Sequence, residues 1–475
     1  MQTQLFIGGQ WRAASDGATF AITDPATEET IADVASATAD DVIEAVEVAH
    51  VAGLEWAKRA PRERAEILRR CWELLCERQQ EITEYIIREN GKAMPDARGE
   101  TAYALEFFRW YAEETVRNYG EILTAPNGDK RIVVIRQPIG VSVLVTPWNY
   151  PAAMATRKIA PALGAGCPVI LKPASDTPLT ALLIAEILAE AGVPDGVVNV
   201  VPSRRSGEVV SAMLHHPLVR KLSFTGSTEV GRALLKEAAD CVLNTSMELG
   251  GNAPFLVFDD ADIDSAVAGA LVAKMRNGGE ACTAANRFYV HERVADEFTE
   301  KFAAAMQAMK VGPGLDPQVE LGPMVNKWAI EDIDRLVQDA TGKGSQVVTG
   351  GAPIEGTGFF YPPTVLSCVS NDSNLLREEI FGPVAPIVTF TDDDEAIAAA
   401  NDTEYGLIAY LFSGNLGRGM AVAERLDAGM IGVNRGLVSD PAAPFGGTKQ
   451  SGLGREGSHD GLHEYMEKKY IGVEW

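Results

Sequence analysis

The chain has 475 residues, of which 46% are hydrophobic and 23% charged, and this length predicts two or three globular domains. The formal net charge of −24 disfavours nucleic acid as a partner, and any anionic substrate must be held by local arginines. Because residues 1–10 lack a signal-peptide pattern and no long apolar run follows, we expect no membrane segment and a cytoplasmic location.

The first half of the chain predicts helices and then an alternation of strands and helices. Residues 41–118 carry charged helical faces interrupted at Pro61 and Gly91, and the turn at 126–129 predicts a hairpin. Strands are predicted from short apolar runs at 141–145, 169–171, 197–201, 221–224 and 245–249. Helices are predicted between them at 156–163, 180–191, 206–214 and 227–239. Continuous apolar strands favour a parallel sheet that is covered on both faces.

A second α/β unit is predicted from residues 254–258 to about residue 447. Its helix at 262–275 leads the chain to Cys282, and the acidic run 392–395 suits the solvated start of another helix. The six cysteines, at positions 71, 76, 167, 241, 282 and 368, have neither a CxxC pair nor a metal-ligand spacing. We therefore expect no bound metal and a reducing compartment.

Three polar side chains occupy positions that suit covalent chemistry. Cys282 ends a glycine turn among polar residues, Glu248 precedes a glycine pair, and Asn149 lies between Pro147 and Pro151. A thiol, a carboxylate and an amide donor suffice for acyl chemistry through a thioester. Each residue also has a structural alternative. Cys282 could be a small core residue, Glu248 a surface carboxylate that ends a strand, and Asn149 a turn residue.

These three segments, in this order, resemble the aldehyde dehydrogenase superfamily, and most closely its succinate-semialdehyde dehydrogenases. Residues 224–231, 378–383 and 444–447 match superfamily motifs, and residues 451–457 resemble the narrower group. The resemblance implies an α/β fold with a Rossmann-like NAD(P)-binding domain from 1–120 and 140–249 and a catalytic α/β domain from 250–447. Residues 121–139 and 458–475 would form a small β element that builds a homo-oligomer, either a dimer or a tetramer, although such a tail can equally pack on its own subunit.

The resemblance also implies the catalytic roles. Cys282 would attack the aldehyde, and the side chain of Asn149 would stabilise the oxyanion together with the backbone N–H of Cys282. Glu248 would then activate the water that hydrolyses the thioester. Ala284 occupies the place of a second cysteine in some relatives, which excludes an adjacent disulfide switch. A catalytically idle binding protein is the alternative from another class, and the intact catalytic residues argue against it.

The nucleotide site carries no Gly-x-Gly-x-x-Gly fingerprint after a strand. The turn at Gly226 and Ser227 would present free amides to a pyrophosphate, although on local sequence alone it reads equally well as a helix cap. The resemblance implies NAD(P) binding there. The implied cofactor-binding residues are Trp148, Asn149, Lys172, Pro173, Ala174, Ser175, Gly226, Ser227, Leu249, Glu379 and Phe381.

Position 175 bears on the choice of cofactor. The resemblance implies that an acidic residue there would bind the 2′-hydroxyl of NAD and repel the 2′-phosphate of NADP. Ser175 removes that repulsion, and Lys172 and Arg204 offer positive charge, whereas Asp176 offers the opposite charge. The sequence therefore favours NADP over NAD.

The resemblance assigns the substrate carboxylate to Arg157, Arg276 and Ser439. Two arginines can hold a carboxylate with parallel charged hydrogen bonds and so reject uncharged aldehydes, although each alone is more often a surface salt-bridge partner. The predicted substrate is a small semialdehyde, succinic semialdehyde first. Another ω-semialdehyde such as glutarate semialdehyde, or a broader aliphatic aldehyde, remains the alternative.

Overall fold

The computed structural model describes residues 1–474, and its N-terminal half is built from strands β1–β11 and helices α1–α8. The strands are β1 (Leu5–Ile7), β2 (Gln10–Arg12), β3 (Thr19–Thr23), β4 (Thr30–Ala35), β5 (Glu121–Thr124), β6 (Arg131–Pro138), β7 (Val141–Val145), β8 (Val169–Lys172), β9 (Val198–Val200), β10 (Val219–Thr225) and β11 (Asn244–Glu248). The helices are α1 (Ala39–Trp56), α2 (Pro61–Glu77), α3 (Gln79–Asn90), α4 (Met94–Glu114), α5 (Pro151–Ala165), α6 (Leu179–Glu190), α7 (Ser206–Leu214) and α8 (Thr228–Asp240).

The remainder forms strands β12–β22 and helices α9–α14. The strands are β12 (Ala253–Val257), β13 (Ala285–His291), β14 (Gln346–Thr349), β15 (Thr364–Ser367), β16 (Val384–Phe390), β17 (Tyr405–Gly406), β18 (Ile408–Phe412), β19 (Met430–Val433), β20 (Thr448–Lys449), β21 (Gly452–Leu453) and β22 (Met466–Val473). The helices are α9 (Ile263–Met275), α10 (Glu292–Gln307), α11 (Lys327–Gly342), α12 (Asp393–Asn401), α13 (Leu416–Ala423) and α14 (Asp460–His463).

Two large sheets organise the molecule. The first has the order β2-β1-β9-β8-β7-β10-β11-β21 and is parallel from β9 to β11. Its strands bury both faces: Leu144 and Leu171 join the apolar cluster of α2–α6, whereas Val143 and Ile170 join the cluster of α1 and α7. The second sheet has the order β14-β15-β16-β13-β12-β18-β19. The predicted α/β class with covered parallel strands agrees with this architecture.

The predicted elements match these bounds closely, with one informative error. Helix α5 begins at Pro151, five residues before the predicted start at residue 156. Proline suits the first position of a helix because its missing N–H would have no partner there, so Pro151 starts this helix. The acidic run also lies where we predicted, because the Asp392 side chain caps α12 by accepting from the N–H groups of Asp394 and Glu395.

A third sheet, β22-β6-β5, contains most of the segment predicted to build an oligomer. The predicted hairpin is formed by β5 and β6, and β22 pairs with β6 from Met466 to Val473. The last residue of that predicted segment, Trp475, lies outside the described residues. Within residues 1–474, no helix has both the length and the apolar character needed to cross a bilayer.

Candidate active site

The carboxyl ends of the parallel strands β7, β8, β10 and β11 converge on one edge of the first sheet. Val145 is paired with Lys172 and with Phe224, and Thr225 is paired with Glu248. Because parallel strands bring their carboxyl ends to the same edge, residues far apart in the sequence meet there. The loops after these strands carry most of the residues that the sequence predicts for the site.

Cys282 is presented by an unusual backbone turn. The segment Arg276–Gly279 is a tight left-handed turn in which Asn277, Gly278 and Gly279 have φ values of 55°, 61° and 79°. Glycine adopts this left-handed region without strain. An added Cβ at Gly279 would also collide with the carbonyl oxygen of Gly382, so this position tolerates no larger residue. The glycine pair thus places Cys282 at the cavity wall.

Hydrogen bonds hold Asn149 at its side-chain amide and at its backbone carbonyl. Its side-chain Nδ2 donates to the carbonyl oxygen of Glu280 at 2.9 Å. Its backbone carbonyl accepts from the Nζ of Lys92 at 2.8 Å and from the Nδ2 of Asn277 at 3.0 Å. An amide nitrogen has two hydrogens, so one bond to Glu280 leaves the second hydrogen of Asn149 for a ligand.

Behind Asn149 lies a buried ion pair that sequence reasoning missed. Lys92 and Glu100 pair with fully buried side chains, and the Lys92 ammonium lies 4.0 Å from the centre of the Tyr150 ring. The Glu100 carboxylate also accepts from the N–H groups of Ala152 and Ala153, at 2.8 and 3.2 Å, at the start of α5. This network holds the start of α5, the Asn149 carbonyl and the Cys282 loop in one arrangement.

One cavity of about 510 Å³ gathers nearly all of the predicted site residues. The predicted residues that line it are Trp148, Asn149, Arg157, Lys172, Ala174, Ser175, Gly226, Ser227, Leu249, Arg276, Cys282, Glu379, Phe381 and Ser439. Pro173 and Glu248 are not among the lining residues. A volume of this size accommodates a small aldehyde together with part of a dinucleotide.

The predicted adenosine end of the cavity is polar. The Nζ of Lys172 donates to the hydroxyl of Ser206 at 2.6 Å, and Ser175 donates to the carbonyl of Ser203 at 3.1 Å. Burial lowers the pKa of Lys172 to about 8, with Asp176 opposing and Arg204 adding to this shift. Ser206 also lines the cavity. The sequence did not point to it because it begins α7, 34 residues after Lys172 in the chain.

The predicted nicotinamide end fits a ribose and a flat ring. The Glu379 carboxylate accepts from the N–H of Gly251 at 3.1 Å, and burial raises its pKa to about 7. The rings of Phe381 and Trp148 meet edge to face with centres 5.4 Å apart. A Cβ added at Gly250 would lie 2.8 Å from the Glu379 Oε2, so this wall is kept open by glycine. The residues present therefore fit NAD(P).

Glu248 lies behind the cavity wall at the end of β11. Its residue is 2% exposed, and neither carboxylate oxygen has a hydrogen-bond partner among the described residues. A Cβ added at Gly446 would lie 2.9 Å from its Oε1. Burial, and then the negative charge of Glu456, raise the pKa of Glu248 well above the ordinary carboxyl value. A carboxylate in this environment is a stronger base than an exposed one.

The thiol of Cys282 lies near both acidic and basic side chains. Burial raises its pKa to about 12, with Glu379 and Glu248 adding to the shift and Arg157 and Arg276 opposing it. At neutral pH the free thiol therefore stays protonated, and attack on a carbonyl requires a base to accept its proton.

Arg157 already has a charged partner. Its Nε lies 2.5 Å from the carboxylate of Glu456, which also pairs with Lys158 at 2.6 Å. Its guanidinium lies 4.2 Å from the centre of the Phe445 ring. Glu456 was not predicted as a site residue, although the motif 451–457 contains it. Glu456 thus offsets part of the positive charge of Arg157 and Lys158.

Arg276 has no carboxylate partner within ion-pair distance in residues 1–474. Its Nη2 donates to the hydroxyl of Thr283 at 3.1 Å, and its guanidinium lies 5.6 Å from the centre of the Tyr150 ring. The hydroxyl of Tyr410 donates to the carbonyl of Thr283 at 2.8 Å and so steadies the same loop. An anion that enters the cavity would meet this charge next to the thiol.

Among the described residues no group of three or more His, Cys, Asp and Glu side chains is gathered for a metal ion. All six cysteines are free. The chemistry available in the cavity is thus a thiol, an oriented amide donor, a carboxylate of raised pKa and two guanidinium groups. This set can form and hydrolyse a thioester on an anionic carbonyl compound.

The sequence pattern of the aldehyde dehydrogenase family matches residues 11–471. The chain is 54% identical over 443 residues to the succinate-semialdehyde dehydrogenase of Paenarthrobacter nicotinovorans, which covers 93% of this chain and 98% of that protein. It is 47% identical over 468 residues to a glutarate-semialdehyde dehydrogenase of Pseudomonas putida, covering 98% and 97% of the two chains. The crystal structure of an NADP-dependent enzyme of E. coli matches with a TM-score of 0.98 at 46% identity, covering 100% of this chain and 98% of that one. This superposition confirms the predicted fold class.

Proposed function

Because the chain belongs to the aldehyde dehydrogenase family, and is therefore an NAD(P)-dependent oxidoreductase, we propose that it oxidises succinic semialdehyde to succinate. One observation carries this proposal: two arginines and Ser439 line the same cavity as Cys282. A carboxylate held by the arginines leaves the other end of a short substrate to reach the thiol. The 54% identity to a succinate-semialdehyde dehydrogenase supports the same substrate.

In this proposal Cys282 is the nucleophile. The Cys282 thiol gives up its proton to water as its sulfur attacks the aldehyde carbon. The oxyanion of the resulting thiohemiacetal accepts hydrogen bonds from the Asn149 side chain and the Cys282 backbone. Removal of one donor of this kind typically lowers the rate by roughly 10²–10³-fold. NAD(P)⁺, when bound along the cavity wall of Glu379 and Phe381, supplies the hydride acceptor that converts the adduct to a thioester.

Glu248 is proposed as the base that activates water for hydrolysis of the thioester. For this role its carboxylate has to turn from its place beside Gly446 toward Cys282, and no hydrogen bond among the described residues holds it back. Its raised pKa, caused by burial and then by Glu456, makes it a stronger base than an ordinary carboxylate.

Arg276 and Arg157 are proposed to bind the substrate carboxylate, and their surroundings differ. Arg157 forms an ion pair with Glu456, whereas within residues 1–474 Arg276 contacts a hydroxyl and an aromatic ring and interacts with Asp96 only at longer range. The second candidate substrate is glutarate semialdehyde, which the 47% identical Pseudomonas relative favours, because arginines bind a carboxylate at either chain length.

We further propose a preference for NADP over NAD. A 2′-phosphate would accept from Lys172 and, once their hydroxyls turn from the Ser203 carbonyl, from Ser175 and Ser206, all of which line the adenosine end of the cavity. Asp176 lines the same end and opposes this preference. The match to an NADP-dependent E. coli enzyme supports the proposal.

The assembly is proposed to be a homo-oligomer, a dimer or a tetramer, built through the sheet β22-β6-β5. This sheet exposes Ile122 by 69%, Tyr470 by 56% and Leu123 by 49%, together with Ile471 and Ile135. Exposed apolar side chains on a three-stranded sheet are costly in water and suit contact with a second subunit. The domain division at residues 249–250 and a cytoplasmic location stay predictions.

The test is a set of steady-state rates with succinic semialdehyde, glutarate semialdehyde and butanal, each measured with NAD and with NADP. We expect the highest kcat/KM with succinic semialdehyde and NADP. A Cys282→Ala control should lose oxidation and keep cofactor binding, because the thiol forms the covalent bond and does not hold the nucleotide. Equal kcat/KM for butanal and succinic semialdehyde would refute the substrate assignment, and turnover by the control would refute the mechanism.

A further inference from the structure

Tyr103 is a cavity residue that the catalytic scheme above does not use. It lies on α4, and its ring packs edge to face against Phe107 with centres 4.8 Å apart. It lines the same cavity as Cys282 and the two arginines. Its hydroxyl oxygen is buried, with Arg157 at hydrogen-bonding range, and its hydrogen has no acceptor within residues 1–474. A buried hydroxyl whose hydrogen has no protein acceptor, on a residue that lines a ligand cavity, is a candidate ligand contact.

The groups around the hydroxyl define what it can bind. Burial raises the pKa of Tyr103. Two arginines oppose that shift: Arg157, which lies at hydrogen-bonding range, and Arg276. A guanidinium group has donors and no acceptor, so neither arginine can accept the hydrogen of the tyrosine. That hydrogen needs an acceptor, and an oxygen drawn to the arginines would supply one.

We propose that Tyr103 donates its O–H to the carboxylate of the substrate and so completes its binding site beside Arg157 and Arg276. This proposal rests on the function proposed above and adds a residue that selects carboxylated aldehydes. Arg157 has its Nε at Glu456 and its Nη2 at the sulfur of Met154, 3.1 Å away. With part of that guanidinium engaged by protein, a neutral donor adds a bond to the carboxylate without adding charge to a crowded site.

Burial keeps the tyrosine protonated across the working pH range, because its raised pKa moves ionisation to more alkaline pH. The hydroxyl is therefore a permanent donor. An uncharged aldehyde such as butanal offers no oxygen at this end and gains nothing from it. The contribution of Tyr103 should thus be visible only with substrates or products that carry a carboxylate.

Tyr103→Phe removes only the hydroxyl and keeps the ring that packs on Phe107. We expect kcat/KM for succinic semialdehyde to fall about tenfold or more, since hydrogen bonds to charged groups are the stronger ones. The loss should lie mainly in KM, with kcat and the butanal rates little changed. The dissociation constant of succinate, measured by calorimetry, should rise by a similar factor.

Tyr111→Phe is the matched control. Tyr111 lies on the same helix, is buried, and has a hydroxyl without a partner among the described residues, yet it does not line the cavity. It should leave both substrates and succinate binding unchanged. Removal of an unpaired buried hydroxyl is a mild change, so both variants should melt within a few degrees of the wild type.

The outcomes separate this proposal from the proposed function. A wild-type enzyme that prefers succinic semialdehyde, combined with unchanged kcat/KM and succinate affinity in Tyr103→Phe, would overturn the role of Tyr103 alone. A wild-type enzyme without that preference would refute the proposed substrate before any variant is compared. Equal losses for butanal and succinic semialdehyde in Tyr103→Phe would assign the residue to the general structure of the cavity.

Discussion

Lys92→Met removes the cation of the network behind Asn149 while keeping a side chain of similar length. In the structure the Lys92 ammonium pairs with Glu100, donates to the carbonyl of Asn149 at 2.8 Å and contacts the Tyr150 ring. Both side chains of the pair are fully buried. The substitution therefore leaves the Glu100 carboxylate in the protein interior without its counter-charge.

Loss of one member of a buried ion pair typically costs about 3–5 kcal/mol. The entropy of unfolding is about 2.1 cal/mol/K per residue, or about 1 kcal/mol/K for 475 residues that unfold together. We therefore expect the melting temperature to fall by about 3–5 °C. The double variant Lys92→Met with Glu100→Gln should regain most of this loss, because a glutamine carbonyl can still accept from the N–H groups of Ala152 and Ala153.

Catalysis should respond differently from stability. Both variants lack the lysine donor to the Asn149 carbonyl, so both should lose about tenfold in kcat through a misplaced amide. The assay pairs melting curves at fixed protein concentration with steady-state rates. Lys58→Met, which breaks an exposed pair with Glu55, is the control and should change neither quantity. A melting temperature that stays within about 1 °C in Lys92→Met, or that does not recover in the double variant, would refute the reasoning.

Four further predictions concern the reaction. Glu248→Gln should keep a pre-steady-state burst of reduced cofactor and then turn over much more slowly, because water is needed only after the thioester forms. Alkylation of Cys282 in the cofactor-free enzyme, followed by peptide mass spectrometry, should accelerate about tenfold per pH unit between pH 7 and 10. This follows because burial raises its pKa to about 12 and the thiolate fraction keeps growing below that value. Arg276→Ala should lower kcat/KM for succinic semialdehyde by roughly tenfold to a hundredfold and spare butanal, because charged hydrogen bonds contribute about 1.5–3 kcal/mol. Arg157→Ala should do the same and also lower the melting temperature, because Glu456 then loses one of its two cationic partners.

A different result in each of these experiments would contradict the proposed role of the residue. Disappearance of the burst in Glu248→Gln would mean that this carboxylate acts before hydride transfer, for example as the base for the thiol. An alkylation rate that levels off near pH 8.5, the ordinary range of a cysteine, would contradict the raised pKa of Cys282. Equal losses on butanal and succinic semialdehyde would show that Arg276 supports the Cys282 loop rather than the substrate.

The strands, the helices and the Cys282 turn could be predicted because local chemistry decides them. Continuous apolar runs such as 141–145 require a sheet covered on both faces, and this run is β7 in the structure. The glycine pair before Cys282 permits a left-handed turn, and Gly278 and Gly279 have positive φ values. The family resemblance depends on contiguous motifs of the same kind, and the match over residues 11–471 confirms it.

The tertiary structure alone decided which charges meet. Lys92 is 57 residues from Asn149, and Lys158 is 298 residues from Glu456, so no local pattern links them. The same holds for the pKa shifts of Glu248 and Cys282, which arise from burial and from charges on other elements. Sequence patterns determine local geometry through backbone sterics and apolar periodicity. Burial and electrostatics depend on distances between elements, and those distances exist only after the sheets, α5 and the Cys282 loop have packed together.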